Sequence, residues 1–112
     1  MRLEEWQLFG FGPKIPELQA AELEQQLKGS PEIYVLDVRT LAEFRQGHIP
    51  GAHLVPVNEL GHRMHEIPQD KTIVTVCRSG SRSRMAASQL QRAGYTVKNL
   101  SGGMLRWKGP VK

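Results

Sequence analysis

Two hydrophobic rhythms alternate along the chain: short, nearly unbroken apolar runs, and stretches in which apolar residues recur every third or fourth place. Tyr34-Val35-Leu36-Asp37-Val38 and Thr72-Ile73-Val74-Thr75-Val76 belong to the first kind, the pattern of central strands buried on both faces. Weaker strand patterns cover Ala52-His53-Leu54-Val55 and Tyr95 to Leu100, with a short edge piece near Ile15. Between them, Ala20 to Lys28 reads as a helix with Leu23 and Leu27 on one face and Gly29 placed to end it. Thr40-Leu41-Ala42-Glu43 has the spacing of a capping box, so Thr40 opens a short helix through Gln46 that Gly47 terminates. Asn58 is placed to cap a helix carrying Leu60, Met64 and Ile67 at i, i+4 and i+7. Ser83 to Ala93 is a fourth helix, closed by Gly94, with Ala86, Leu90 and Ala93 as a slim inward face. Strands alternating with helices predict an α/β fold of parallel βα units, with helices covering the sheet.

At 112 residues the chain fits one domain with one core. Residues 1–14 depart from the pattern. They form an N-terminal extension in which Trp6, Phe9 and Phe11 alternate with Gly10, Gly12 and Pro13, and they are expected to pack back on the domain of residues 15–112. No run approaches the roughly 18 to 20 apolar residues of a membrane helix. The acidic N-terminus does not read as a secretory signal, so the expected location is cytoplasmic.

Charge adds an asymmetry that hydropathy does not show. From Lys71 onward there are nine Lys or Arg and no Asp or Glu, whereas all eleven acidic residues lie before it. A field of that sign concentrates anions near any site the C-terminal half builds. The basic residues are spaced singly, with only Tyr95 and Trp107 as aromatics near them, so a base-stacking platform is poorly supported and nucleic acid is not the expected partner.

The one cysteine, Cys77, forms neither an internal disulfide nor a Cys-x-x-Cys pair. It falls at the carboxyl end of the Thr72–Val76 strand, in the loop Cys77-Arg78-Ser79-Gly80-Ser81-Arg82 that leads to a helix. In open α/β sheets ligands bind at that edge, and the amides of such a loop, with the helix dipole, favour an anion. A thiolate held there has a lowered pKa and more nucleophilic character, an effect Arg78 and Arg82 reinforce. A cysteine after a buried strand is also at home as a small core hydrophobe. The polar, basic, Gly-containing loop favours the reactive reading.

The loop Cys77–Ser83, the upstream Asp37-Val38-Arg39-Thr40-Leu41-Ala42-Glu43-Phe44 with Gly47-His48-Ile49-Pro50-Gly51-Ala52, and the downstream Leu100–Trp107 together resemble a single-domain rhodanese, a thiosulfate sulfurtransferase homologue. The likeness spans roughly residues 15–109. It implies a parallel five-stranded sheet with helices on both faces and a six-residue loop cradling the cysteine sulfur. It further implies that Cys77 is the catalytic nucleophile, taking a sulfane sulfur from thiosulfate or a persulfide donor and passing it as a Cys77 persulfide to a thiol or cyanide acceptor. Arg78, Ser79, Gly80, Ser81 and Arg82 would bind the anionic donor, with Asp37, Arg39 and Ser83 in support. No metal or organic cofactor is required; a protein donor or acceptor of sulfur is compatible with the same residues.

Other residues have plainer readings. Asp37 is expected to be architectural, bonding loop amides or pairing with Arg39, and His48 to tie backbone groups in its turn. His62 and His65 read as solvent-facing, Gly102-Gly103 as a tight turn and Trp107 as a packing anchor. Two rival functions remain in view. A cysteine phosphatase or arsenate reductase would place arginine six residues after the cysteine, and here that position is Ser83 with Arg82 one residue early. A relay module that receives persulfide from a protein and turns over little thiosulfate would keep the same loop.

Overall fold

The two long apolar runs become neighbouring strands at the centre of one sheet. The computed structural model describes residues 14–112, so the expected N-terminal arm with Trp6, Phe9 and Phe11 lies outside the described residues. The strands are β1 (Glu17–Leu18), β2 (Ile33–Asp37), β3 (His53–Leu54), β4 (Thr72–Val76) and β5 (Thr96–Leu100). They pair in parallel throughout, in the order β1-β5-β4-β2-β3. The helices are α1 (Ala20–Leu27), α2 (Leu41–Arg45), α3 (Leu60–Arg63) and α4 (Ser81–Arg92), with 3-10 turns at Val57–Glu59, Met64–Glu66 and Gly103–Arg106. The expected α/β class is the observed one. None of the helices among the described residues is long and apolar enough to cross a membrane.

Period-two alternation along β2 and β4 feeds two cores, one on each face of the sheet. Leu36, Val38, Ile73 and Cys77 face the core that α3 and α4 cover with Leu60, Ala86, Ala87 and Leu90. Val35, Val74 and Val76 face the other, which receives Leu18, Leu23 and Leu100, with Met104 and Trp107 packed against it. Both faces are buried, which is why these strands read as continuous apolar runs. Each fully buried Leu or Ile removes enough surface from water to contribute about 1.5–3 kcal/mol.

Three local expectations need correction. Asn58 does not cap a helix: it sits inside the Val57–Glu59 turn, whose N-cap is Pro56, and the segment runs as 3-10, α and 3-10 pieces in succession. Its apolar stripe survives all the same, with Leu60 and Ile67 buried and the Tyr95 hydroxyl donating to the carbonyls of Met64 and Ile67 at 3.1 and 3.0 Å. The fourth helix starts at Ser81, two residues early, because Gly80 takes the N-cap in a left-handed conformation, φ 108°. At its other end Ala93 lies beyond the last turn and is exposed, so the inward face is Ser83, Ala86, Ala87 and Leu90.

The topology fixes where a site can form. The chain leaves β2 towards β3 on one side and leaves β4 towards β5 on the other, so successive connections diverge at the carboxyl ends of β2 and β4. That divergence is the switch point at which open α/β sheets bind ligands. The N-termini of α2 and α4 follow directly from those two strands.

Candidate active site

Cys77 is the residue after β4 and is fully buried at the floor of the loop that climbs to α4. Its Sγ accepts the Gly80 N–H at 3.0 Å and the Ser83 hydroxyl at 3.2 Å. Burial pushes the thiol up; the Ser83 hydroxyl and the amides of Ser83, Gly80 and Ser79 outweigh it and hold Cys77 below the ordinary thiol value. The sulfur therefore sits where the loop and the first turn of α4 direct N–H groups at it, and the arrangement favours a negative charge.

The loop amides can face inward because the loop carbonyls are engaged elsewhere. The Met104 and Leu105 amides donate to the carbonyls of Cys77 and Arg78 at 2.9 and 3.0 Å. Gly103 makes that approach possible: it sits at φ 57°, and a side chain there would run into those same two carbonyls. The Gly80 carbonyl accepts three bonds, from the Arg84 amide at 3.1 Å, the Ser83 hydroxyl at 3.2 Å and the Asn99 side-chain amide at 3.2 Å. Asn99, fully buried, is itself held by the Thr75 hydroxyl at 3.2 Å and by Glu17 at 3.1 Å. Strands β1, β4 and β5 thus all brace one peptide of the loop.

Across the crevice, Asp37 ends β2 and pairs with Arg39. The guanidinium donates to both carboxylate oxygens, with contacts of 2.7–3.1 Å, and reaches the Gly47 carbonyl at 2.8 Å. The Arg39 amide also donates to Asp37 at 3.1 Å, so the pair is one of the two architectural roles expected for this carboxylate. Thr40 caps α2 as read: its hydroxyl accepts the Glu43 amide at 3.2 Å and its amide donates to the Glu43 carboxylate at 3.1 Å. His48 ties the following turn to the helix through Nδ1 and the Phe44 carbonyl, 2.8 Å apart, and stacks on the Phe44 ring.

The structure brings Cys77, Gly80 and Ser83 into direct contact and leaves other candidates at the rim. Arg78, Ser79 and Ser81 are exposed, and no hydrogen bond of the Ser79 or Ser81 hydroxyls is found among the described residues. Ser83, expected only in support, supplies the hydroxyl that reaches the sulfur. Arg82 turns to Glu43 of α2 and forms a two-pronged ion pair, each contact 2.8 Å. Those bonds hold the Glu43 carboxyl at about 2 and push the Arg82 guanidinium up, with the charges of Cys77 and Asp37 adding to the latter. Glu43, Asn99 and Gly103 are the site residues that sequence spacing did not single out for the site. Glu43 was visible only as the partner of Thr40. His62 and His65 are both exposed, and Trp107 anchors the second core, donating from its indole nitrogen to the Pro110 carbonyl at 2.9 Å.

Comparison with known proteins is consistent with this geometry. The family model described as the rhodanese-like domain matches residues 19–110. A sulfurtransferase of Allochromatium vinosum is 40% identical over 94 residues, covering 83% of this chain and 88% of that protein. Among solved structures, a rhodanese-like domain protein from Staphylococcus aureus superposes with a TM-score of 0.82 at 27% identity, covering 88% of this chain and 97% of that one. A thiosulfate sulfurtransferase from Pseudomonas aeruginosa gives a TM-score of 0.80 at 28% identity, covering 88% of this chain and 20% of that one.

Proposed function

Because the chain belongs to the rhodanese-like domain family, we propose that it transfers sulfane sulfur through a persulfide on Cys77. The observation that carries the reading is the pair of donors on Cys77 Sγ, the Gly80 amide and the Ser83 hydroxyl, which favour the thiolate in a loop built to hold an anion. In the first half-reaction the Cys77 thiolate attacks the outer sulfur of thiosulfate; the S–S bond of the donor breaks, sulfite leaves, and Cys77 keeps the sulfur as an anionic persulfide. With a persulfide donor the same attack expels a thiolate. In the second half-reaction the nucleophile of a thiol or cyanide acceptor attacks the terminal sulfur and the Cys77 thiolate is regenerated. Gly80 and the other loop amides stabilise the charge at each stage, with the exposed Arg78 attracting the anionic donor. Asp37 and Arg39 hold the neighbouring strand end in place.

The test is intact mass after incubation with thiosulfate or glutathione persulfide. The wild-type chain is expected to gain one sulfur atom and Cys77→Ser none. A wild-type chain that gains no sulfur from either donor, or a Cys77→Ser variant that gains it undiminished, would overturn the reading.

A protein-to-protein relay is a narrower version of the same chemistry, and one feature favours it. Leu41, Met85 and Leu105 are large apolar side chains that are exposed on the elements bordering the crevice and the loop. Apolar side chains exposed on these elements suit contact with a protein surface better than with a small anion. In that case sulfur exchange with a persulfidated protein outpaces thiosulfate turnover, and measured rates in the opposite order would exclude it.

A further inference from the structure

Arg82 lies in the first turn of α4, and its guanidinium is already engaged. One N–H from each terminal nitrogen goes to a different oxygen of Glu43, both at 2.8 Å. Glu43 is held in turn: Oε1 also accepts the Thr40 amide at 3.1 Å and lies 3.2 Å from the Thr40 hydroxyl. The α2 capping box therefore presents a fixed carboxylate across the switch-point crevice. The net charge of the fork is zero where the sequence alone shows a lone positive residue. Unlike the Asp37–Arg39 pair, this fork is partly open to water, with side chains 34% and 27% exposed, so a competing anion meets it at the surface.

We propose that Glu43 sets the donor class of the loop: by neutralising Arg82 it disfavours the thiosulfate dianion and leaves the site tuned to persulfide donors, whose sulfane end carries one charge or none. The inference rests on the sulfur-transfer reading above and names the substrate class of that same site. Both donors deliver the same atom. Thiosulfate transfers its outer sulfur to the Cys77 thiolate and releases sulfite, so two negative charges must come close to the loop and two must leave. A persulfide R–S–SH transfers its terminal sulfur with its proton and releases R–S⁻, so Cys77 becomes Cys77–S–SH and one negative charge leaves. A free guanidinium discriminates in favour of the first; a guanidinium neutralised by a carboxylate does not. Glu43 acts through Arg82 and touches no reacting atom, so its role is that of a positioning residue.

Glu43→Gln is the decisive variant, because glutamine keeps the capping-box bond to Thr40 while removing the charge and one acceptor of the fork. Steady-state kinetics with thiosulfate and with glutathione persulfide are compared for wild type, Glu43→Gln and the double variant Glu43→Gln/Arg82→Ala. The ratio of kcat/KM for thiosulfate over glutathione persulfide is expected to rise roughly tenfold in Glu43→Gln, the increase residing in a lower thiosulfate KM, and to fall back in the double variant. An unchanged or lowered ratio in Glu43→Gln overturns the proposal, as does a raised ratio that survives loss of Arg82. If Glu43→Gln does not fold, Glu43→Asp is measured instead; it keeps the charge but withdraws it by one methylene, and a smaller rise in the same ratio is expected, none being a refutation. Absence of sulfur transfer from either donor in the wild type is a different failure, that of the underlying activity.

Discussion

Two arginine–carboxylate forks flank the same crevice with nearly the same geometry and opposite surroundings. Asp37–Arg39 closes at 2.7 Å with side chains 1% and 7% exposed, and Glu43–Arg82 closes at 2.8 Å with side chains 27% and 34% exposed. The first is tied into the backbone at both ends, through the Arg39 amide and the Gly47 carbonyl. The second joins two helices through side chains alone apart from the Thr40 cap. Burial, more than bond length, decides what such a pair does: a charge stripped of its partner in the interior has no water to turn to, whereas one at the rim does. The buried fork is architecture. The open one is adjustable, and adjustability is what specificity requires.

The sharpest way to break the comparison is to leave each arginine without its carboxylate. Asp37→Asn strands Arg39 in the interior and is expected to lower unfolding free energy by about 3–5 kcal/mol, read as a fall in urea midpoint at unchanged slope. A loss no larger than that of Glu43→Gln would show that burial is not the deciding variable. Ser83→Ala tests a third, uncharged contact in the same crevice. The Ser83 hydroxyl helps hold the Cys77 thiol below its ordinary value, so its removal should move the pH profile of iodoacetamide alkylation upward. A profile that stays in place would assign the effect to the amides alone. Glu43→Gln should cost about 1 kcal/mol or less, and the cost should shrink at high salt, which it should not do for Asp37→Asn.

The smallest expected effect is the acid response of the open fork. Glu43 is held at about 2, below an ordinary 4.5, chiefly by its bonds to Arg82. A depressed carboxylate stabilises the fold fully above its unfolded value, and this contribution fades as pH falls from about 4.5 towards 2. The stability gap between wild type and Glu43→Gln should therefore narrow between pH 5 and pH 3 by a few tenths of a kcal/mol, once solvent screening is allowed for. A gap that widens on acidification would mean that the carboxylate is not the stabilising form.

What the sequence made legible follows from the range of each interaction. Strands β2 and β4 stand out because burial on both faces removes polar residues from a contiguous run, and the Thr40–Glu43 cap and the Cys77 loop are likewise local in sequence. Asn58 misled because Pro56 starts the turn before it, and the segment runs as three short pieces, Val57–Glu59, Leu60–Arg63 and Met64–Glu66, that share a single apolar stripe. The site's bracing was invisible for a different reason. Arg82 meets Glu43 across 39 positions and Asn99 meets the Gly80 carbonyl across 19, contacts that only the strand order brings together. Spacing picked out Cys77 but not the residues that surround and brace its loop.

Cys77 sits at the bottom of its loop with its sulfur against the core that α3 and α4 cover. Behind it there is no room, so a second sulfur bonded to Sγ can extend only towards the mouth, by about one S–S bond length, roughly 2 Å. On the proposed reading, loading would change the reach of the site as well as its chemistry. A donor would have to insert its terminal sulfur down to the recessed Sγ, which would select slim approaching groups, whereas an acceptor would meet an atom already carried outward. The empty and loaded forms of one residue would then impose different size limits on the two molecules it serves.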